Sequence, residues 1–302
     1  MKLTNFAKEG IWLKGNLHAH STNSDGELPP ERLASEYRKF GYNFLALSDH
    51  NIYSTHEKYN SRDFVMIPGF ELSSPIGHIN ILQIGVESNF AQNEEIAVGT
   101  MEQFKGFLAK HRDNYLIMLN HPSWSMLEWE KVIDLDEISC VEVYNHGCEW
   151  LDLLGESSDF WETMLRKGKK WWGIATDDNH NGYKYVSGWP FNLLQTDSFG
   201  GWICVKAKEC THEAIMAAVV NGSFYSSTGP EIYDFYVQNG YVYVSCSPCE
   251  RVIFSGNQRS IRRVIATNIT EFNAPLKENE KYVRVQCADK YGRVAYGNPI
   301  FL

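Results

Sequence analysis

Histidines and carboxylates recur together at the ends of predicted strands in this sequence. The first pair is His18-Ala19-His20, in which two histidines close a strand-like run. Because side chains alternate along a strand, both imidazoles point the same way and their nitrogens can reach one ion. Asp25 follows in a Ser-Asp-Gly turn, where its carboxylate can add an oxygen ligand. This spacing favours a metal site at the end of the first strand.

Similar fragments follow along the chain, and the last one again spaces two donors by two residues. They are Ser48-Asp49-His50, Gly69-Phe70-Glu71, His78, Asn120-His121-Pro122 and Asp177-Asp178-Asn179-His180. The combined set of candidate ligands is His18, His20, Asp25, His50, Glu71, His78, His121, Asp178 and His180. Such a set suits two or three divalent ions that share bridging ligands. Since it contains no thiolate, it favours zinc, manganese or iron in an open, catalytic shell.

The overall charge bears on the class of partner. The chain of 302 residues has 37 acidic and 28 basic residues and a formal charge of -9. Nonspecific binding to nucleic-acid phosphates needs clustered lysine and arginine, so we expect none here. Two or three divalent ions would bring about four to six positive charges to the acidic ligands. The predicted cluster would therefore be the positive patch for an anionic substrate.

Apolar runs and cysteines give expectations about location. No stretch approaches the roughly 18 apolar residues of a membrane span, and the first residues lack the apolar core of a signal peptide. Seven scattered cysteines predict reduced thiols, so we expect a cytoplasmic protein with no membrane partner. Cys246 and Cys249 form a C-x-x-C without a second pair, and we interpret them as buried cysteines rather than a zinc or redox site. The oligomeric state is left open.

These residues must be positioned by alternating strands and helices. Between residues 11 and 228, β-rich runs alternate with helical patterns near 30–40, 100–111, 158–167 and 211–221. The β-rich runs are Trp12-Leu17, Phe44-Leu47, Phe64-Ile67, His78-Ile84, Tyr115-Leu119, Cys140-Tyr144, Trp171-Thr176 and Trp202-Val205. The alternation predicts an α/β domain over residues 1–228, whose sheet either closes into a barrel or stays open.

After residue 228 the pattern changes to short strands and turns. Asn239-Gly240 lies between two alternating runs and is the clearest hairpin signal. The region predicts a small, sandwich-like antiparallel β-domain over residues 229–302.

The ordered motifs resemble those of the PHP (polymerase and histidinol phosphatase) metallohydrolases. H-x-H with S-D-G is followed by S-D-H-N, G-F-E-L with a downstream G-H-I, N-H-P and D-x-H, over roughly residues 11–228. The likeness is closest to the branch with Asp25 after the first motif, which includes tryptophan-operon-associated phosphoesterases and carbaryl-hydrolase-like proteins. Residues 282–300 also look like the C-terminal β-domain of the latter group. The resemblance implies a distorted barrel of seven mainly parallel strands with metals at its C-terminal mouth.

The resemblance also implies how three ions divide the ligands. His18, His20, Glu71 and Asp178 would hold the first, and Glu71 would bridge to a second held by His78 and His121. Asp25, His50 and His180 would hold the third. Asp178 is preferred over Asp177 because of its spacing to His180, and Asp49 is expected to fix a histidine tautomer or a turn.

Residues that act on the substrate carry weaker signals. His146, at the end of another predicted strand, is a candidate acid for the leaving group, with a surface position as the alternative. Asn51, Asn145 and Lys184 are candidate substrate contacts because they lie near the motifs. Trp-rich segments, including Trp124, either stack on a base or aryl group or belong to the core.

The sequence therefore predicts a phosphoesterase with two or three ions that hydrolyses a small phosphorylated metabolite or nucleotide with metal-activated water. A metal-dependent carboxylic ester or carbamate hydrolase is the first alternative. A metal-stabilised binding module without turnover is the second.

Overall fold

A computed structural model describes residues 2–181, 196–258 and 262–302. Strands and helices mix along the first 227 residues, and strands alone follow. The strands are β1 Ile11–Asn16, β2 Phe44–Ala46, β3 Val65–Ile67, β4 Gly69–Ser74, β5 Gly77–Gln83, β6 Tyr115–Leu119, β7 Cys140–Asn145, β8 Trp172–Thr176, β9 Trp202–Ala207, β10 Phe224–Ser227, β11 Ile232–Gln238, β12 Tyr241–Gly256, β13 Arg262–Pro275, β14 Tyr282–Ala288, β15 Val294–Gly297 and β16 Ile300–Phe301. The helices are α1 Pro30–Lys39, α2 Met101–His111, α3 His146–Asp152, α4 Ser158–Arg166 and α5 His212–Val220, with short 3₁₀ turns at Glu57–Tyr59 and Trp129–Lys131.

The four predicted helices are confirmed within a few residues, and local chemistry explains their ends. Pro30 opens α1, where its fixed φ suits the first turn, and Leu33 and Tyr37 bury one face. α2 starts at a capping box in which Thr100 and Gln103 satisfy each other's backbone N–H groups. Helix α3 was not predicted, and it carries part of the cavity described below.

One sheet begins with the first strand and runs into the C-terminal region. Its order is β11-β12-β14-β15-β10-β9-β1-β2-β3, with β13 on β12 and β16 on β14. β1, β2 and β3 are parallel, whereas β9 pairs antiparallel with β1 and β10 pairs antiparallel with β9. The predicted hairpin is confirmed, because Asn239 and Gly240 have positive φ angles of 51° and 77° between β11 and β12.

The second sheet has the order β4-β5-β6-β7-β8. β6, β7 and β8 are parallel and β4 and β5 antiparallel, so the strands are not all of one sense. β6 is buried along its whole length, as expected for a strand covered on both faces.

A closed seven-stranded barrel is not what the described residues form. Among them the two sheets are separate ladders, joined near the carboxyl ends of β1 and β2 by single bridges between Ala19 and Asn179 and between His50 and Glu71. The α/β class is confirmed, but antiparallel strands replace part of the expected parallel barrel. Periodicity marks a strand without revealing its direction, so the sequence could not show this.

The antiparallel C-terminal strands are continuous with the first sheet, since β15 pairs with β10. Asn298 also accepts a hydrogen bond from the backbone N–H of Gly173 in β8, at 3.0 Å. The division at residues 228 and 229 therefore stays a prediction, while the ladder itself crosses it. No helix in the described part of the chain is long and apolar enough to span a membrane.

A buried ion pair fastens the C-terminal strands to helix α4. Arg284 of β14 places its Nε 2.6 Å from Glu162 Oε2, and the hydroxyl of Tyr282 donates to Glu162 Oε1 at 2.8 Å. Arg284 also lies 5.0 Å from the ring of Trp161. Since α4 leads into β8, this contact supports the strand that precedes Asp178.

Replacing Arg284 by methionine should lower the free energy of unfolding by about 2 kcal/mol, because the buried Glu162 carboxylate then keeps only the half-exposed Arg166 and the Tyr282 hydroxyl as partners. Urea denaturation measures the change. Arg293→Met is the matched control, since the Arg293–Asp289 pair is exposed on the arginine side and its loss should cost less than about 1 kcal/mol. Equal effects of the two substitutions would contradict the role of the buried pair.

Candidate metal centre

The end of β1 is held where the histidine pair can face inward. Beyond the last ladder residue, the N–H of Asp178 donates to the carbonyl of His18 at 2.9 Å, and the N–H of His20 donates to the carbonyl of Asn179 at 3.0 Å. The segment after β8 therefore runs beside the H-x-H segment. This pairing places the first and last sequence motifs side by side.

The first ligand group is His18, His20 and Asp178, whose donor atoms lie within 4.8 Å of one another. The Nε2 atoms of the two histidines are 3.1 Å apart, and Asp178 Oδ1 lies 3.1 and 3.0 Å from them. Glu71 adds its carboxylate oxygens at 3.3 Å from each Nε2. The four residues predicted for a first ion are thus together, and all are buried.

Glu71 is the point at which the ligand groups meet. Its Oε1 lies 3.3 Å from His78 Nδ1 and 3.5 Å from His121 Nε2, and its Oε2 lies 3.1 Å from His50 Nδ1. His50, Glu71 and His78 form a second compact ligand group. The compact group contains His50, whereas the resemblance implies His121 beside Glu71 and His78; the bridging role of Glu71 stays a prediction.

The third group consists of His20, Asp25, His50 and His180. Asp25 Oδ2 lies 3.4 Å from the Nε2 atoms of both His50 and His180. Gly26 permits the preceding turn, because a Cβ at that position would stand 2.4 Å from the carbonyl oxygen of His20. The predicted third set is therefore brought together, on the more exposed side of the cluster.

The pKa values of the cluster residues are shifted in the direction that favours bound positive charge. Burial disfavours the charged form of His20, yet the carboxylates of Asp178 and Glu71 outweigh it and raise its pKa to about 10. The pKa of His18 is also raised, against burial, by the same carboxylates. Burial opposes ionisation of Glu71 and Asp178, but the imidazole of His18 keeps the pKa of both carboxyl groups low.

The donor set fits divalent transition metals. His20 Nδ1, His50 Nδ1 and Asp178 Oδ1 are buried and make no hydrogen bond, although each faces the cluster. An ion among them would satisfy these lone pairs and the buried negative charge together. Imidazole with carboxylate suits zinc, manganese or iron, and the nearby Cys148 is a neutral thiol because burial raises its pKa.

Glu142 of β7 is a functional residue that the sequence reasoning missed. Its Oε1 lies 2.6 Å from His18 Nδ1 and accepts a hydrogen bond from the Thr176 hydroxyl at 2.6 Å. Its Oε2 accepts from the backbone N–H of His121 at 2.7 Å. Glu142 thereby fixes the His18 tautomer that leaves Nε2 for a metal. A carboxylate within the apolar run 140–143 was the available signal.

Two other motif carboxylates hold backbone in place. Asp49 accepts hydrogen bonds from the N–H and hydroxyl of Ser21, at 2.7 and 2.8 Å, so it fixes the turn after His20. Asp177 accepts from the Tyr37 hydroxyl at 2.6 Å and from the N–H groups of residues 199–201. These contacts agree with Asp178, rather than Asp177, as the donor toward the cluster.

His146 lies away from the metal cluster. Its Nε2 is 3.0 Å from the carbonyl oxygen of Thr196 and its Nδ1 is 3.1 Å from the hydroxyl of Tyr144. Both ring nitrogens are occupied within the protein, and the residue does not line the cavity. The structure therefore gives no support to its predicted role as the acid for the leaving group.

The predicted substrate contacts also have other partners. Asn51 bonds through its side chain to the backbone N–H and hydroxyl of Ser73, at 2.9 and 3.1 Å, and ties its loop to β4. Asn145 donates to Asp178 Oδ2 at 2.9 Å, so it orients a candidate ligand. Lys184 lies outside the described residues.

A cavity of about 320 Å³ opens onto the cluster. It is lined by Asp25, His50, Glu71, His78, His121, Trp124, Gly147, Cys148, Leu151, Asp152, Asp178 and His180. Within the described residues this lining contains no lysine or arginine. α3 supplies one side of the cavity and the turn after β6 supplies Trp124.

Comparison with solved structures finds a two-domain protein from Bacteroides vulgatus that contains a predicted PHP-like metal-dependent phosphoesterase. Its TM-score is 0.54 at 16% sequence identity, over 96% of this chain and 93% of that chain. This similarity shows that the chain has a PHP-like fold, which confirms the resemblance at the level of the fold.

Two further structures are less similar. An amidohydrolase from Chromobacterium violaceum has a TM-score of 0.41 at 14% identity, over 55% of this chain and 87% of that chain. A protein from Bifidobacterium adolescentis assigned as a metal-dependent phosphoesterase has a TM-score of 0.40 at 12% identity, over 57% of this chain and 89% of that chain. No protein-family model and no curated protein matches the sequence.

The raised histidine pKa values predict a pH dependence for the metal-free protein. Between the ordinary value of 6.5 and about 10, the folded state retains a proton on His20 that the unfolded state has lost. The metal-free protein should therefore lose stability as pH rises through this range. Thermal unfolding in chelator measures it. Excess zinc should abolish or reverse the trend, because ions bind the neutral imidazoles; a flat metal-free profile would contradict the prediction.

Glu142→Gln should weaken metal binding by about 10- to 100-fold, because an amide no longer holds His18 in the required tautomer. Competition with a chromophoric chelator measures the affinity. Glu250→Gln removes an exposed carboxylate and is the control. Unchanged affinity in Glu142→Gln would show that Glu142 does not position His18.

Proposed function

We propose that this chain is a metal-dependent phosphoesterase of the PHP superfamily that hydrolyses the phosphate ester of a small metabolite or nucleotide with water activated by two or three divalent transition-metal ions. The observation that carries the proposal is the Glu71 carboxylate, buried among five imidazoles whose nitrogens lie within 3.5 Å of its oxygens. A core that served only to stabilise the fold would not bury this much charge, because buried charges cost free energy unless they are compensated.

The ligand groups indicate how the ions would be held. His18, His20, Glu71 and Asp178 would hold one, Glu71 with His78 and His121 a second, and Asp25, His50 and His180 a third. Bound ions of this kind supply a hydroxide near neutral pH and stabilise the negative charge that develops on a phosphoryl group.

The protein's own residues determine the side from which a substrate approaches, and they hold the candidate ligands in position. His18 and His20 are fully buried, whereas the side chains of His78 and His180 are 31 and 32% exposed. A substrate must therefore approach from the side of His78, His180 and Asp25. Glu142 and Asn145 lie behind the ligands and hold His18 and Asp178 in position.

We also propose that residues 1–228 carry the hydrolase and residues 229–302 support it. The contacts of Asn298 with β8 and of Arg284 with α4 favour a supporting role, because both elements lead toward Asp178.

Elemental analysis of the purified protein should give two or three zinc, manganese or iron ions per chain. With added manganese or zinc, p-nitrophenyl phosphate or bis-p-nitrophenyl phosphate should be hydrolysed, and comparison of the two distinguishes monoester from diester preference. Asp178→Asn should lower kcat/KM by about 100-fold or more, because it removes a negative ligand of the first group.

Asp136→Asn is the matched control, since the Asp136 side chain is exposed and does not line the cavity. Fewer than two ions per chain would contradict the proposed site. Turnover of an aryl acetate with none of either phosphate ester would replace the phosphoesterase by a carboxylic ester hydrolase.

A further inference from the structure

One side of the metal cavity is a wall made by two neighbouring segments, the turn after β6 and the end of α3. Trp124 of the first segment and Leu151 and Asp152 of the second line the cavity. The indole Nε1 of Trp124 donates to Asp152 Oδ2 at 2.9 Å. The segments are also joined by the hydroxyl of Ser123, which donates to the carbonyl of Glu156 at 2.9 Å. We call Trp124, Leu151 and Asp152 the cavity wall.

The apolar members of the cavity wall are unusually open to solvent. Trp124 is 42% exposed and Leu151 is 49% exposed, although both border a site rich in charge. Two large apolar side chains that line the cavity are therefore left partly open to solvent.

Charge in the lining restricts what can lie against the wall. Within the described residues no lysine or arginine lines the cavity. Asp152 adds a carboxylate to the lining, beside the indole of Trp124. A second phosphate or a carboxylate on the substrate would be repelled by this carboxylate, and no cation of the described lining offsets the repulsion.

We propose that the cavity takes phosphomonoesters of aromatic or other bulky apolar alcohols, with the ring against Trp124 and Leu151 and the phosphate at the ligand cluster. This inference rests on the proposed phosphoesterase function and narrows its substrate class. It predicts poor use of nucleoside di- and triphosphates. Stacking on Trp124 and contact with Leu151 supply the preference for the ring.

Benzyl phosphate and ethyl phosphate provide the test in the metal-loaded enzyme, because their leaving alcohols have similar basicity and differ in the ring. The wild-type enzyme should prefer benzyl phosphate in kcat/KM by about tenfold or more, and Trp124→Ala should lower that ratio about tenfold. Tyr291→Ala, which removes an exposed aromatic side chain from the C-terminal strands, should leave the ratio unchanged. Equal ratios in the two variants, or better use of a nucleoside diphosphate than of benzyl phosphate, would overturn the proposal.

A second variant separates binding from folding. Leu151→Ala shortens a half-exposed side chain within α3 and keeps a good helix former, so the melting temperature should change little. The benzyl preference should nevertheless fall, because an apolar side chain that lines the cavity is lost. A lower melting temperature with an unchanged preference would assign Leu151 a structural role and count against the proposal.

Binding can also be measured without turnover or metal. Saturation-transfer NMR with benzyl alcohol and chelator-treated protein should show transfer to the ring protons in the wild type and in Tyr291→Ala, and a loss of transfer in Trp124→Ala. If this pattern appears but benzyl acetate rather than benzyl phosphate is hydrolysed, the phosphoesterase function fails and the apolar subsite stands. If phosphate esters are hydrolysed but transfer is independent of Trp124, the subsite fails and the function stands.

Discussion

The structure depends on a carboxylate that is removed from water and surrounded by imidazoles. Glu71 is 1% exposed and faces five histidines from different segments of the chain. Buried carboxylates are costly unless positive charge compensates them, either protons on the imidazoles or metal ions. Without ions, the carboxylates of Asp178 and Glu71 raise the pKa of His20 to about 10, so its imidazole keeps a proton. With ions, the same lone pairs become ligands, so proton binding and metal binding are alternative ways to satisfy one constraint.

The sequence predicts which histidines and carboxylates lie together, because their signal is local. Residues His18 and His20 share a direction through strand alternation, and Asp178 with His180 repeats the spacing. Glu71 and His78 lie on the paired strands β4 and β5, which the sequence did not identify as antiparallel. The ligand set survives that difference, because a donor at a strand end needs the right position and not a particular strand direction.

The sequence alone could not identify residues that act through partners far away along the chain. Glu142 is recognisable as functional only when its contact with His18, 124 positions away along the chain, is known. Asn51 was predicted from its proximity to a motif and His146 from its position at a strand end, yet neither lines the cavity, since their side chains bond to other parts of the polypeptide. The cavity wall could not be predicted from the sequence, because α3 is short and its exposed Leu151 does not belong to a helical pattern of burial. Trp124 was one of two open alternatives, stacking platform or core.

Burial is graded across the ligand groups, and this gradient gives them different tasks. His18 and His20 lie behind the other ligands, so an ion held there contacts protein on most sides and anchors the site. The Asp25 side chain is 52% exposed, and its partners His50 and His180 are partly exposed. Substrate atoms can reach an ion only where protein ligands leave room, which is on this open side. Trp124 and Leu151 border the same opening. Under the proposed function, a phosphate bound on this open side would bring its alcohol portion against an apolar surface, so the position of the opening would also determine which alcohol portions fit.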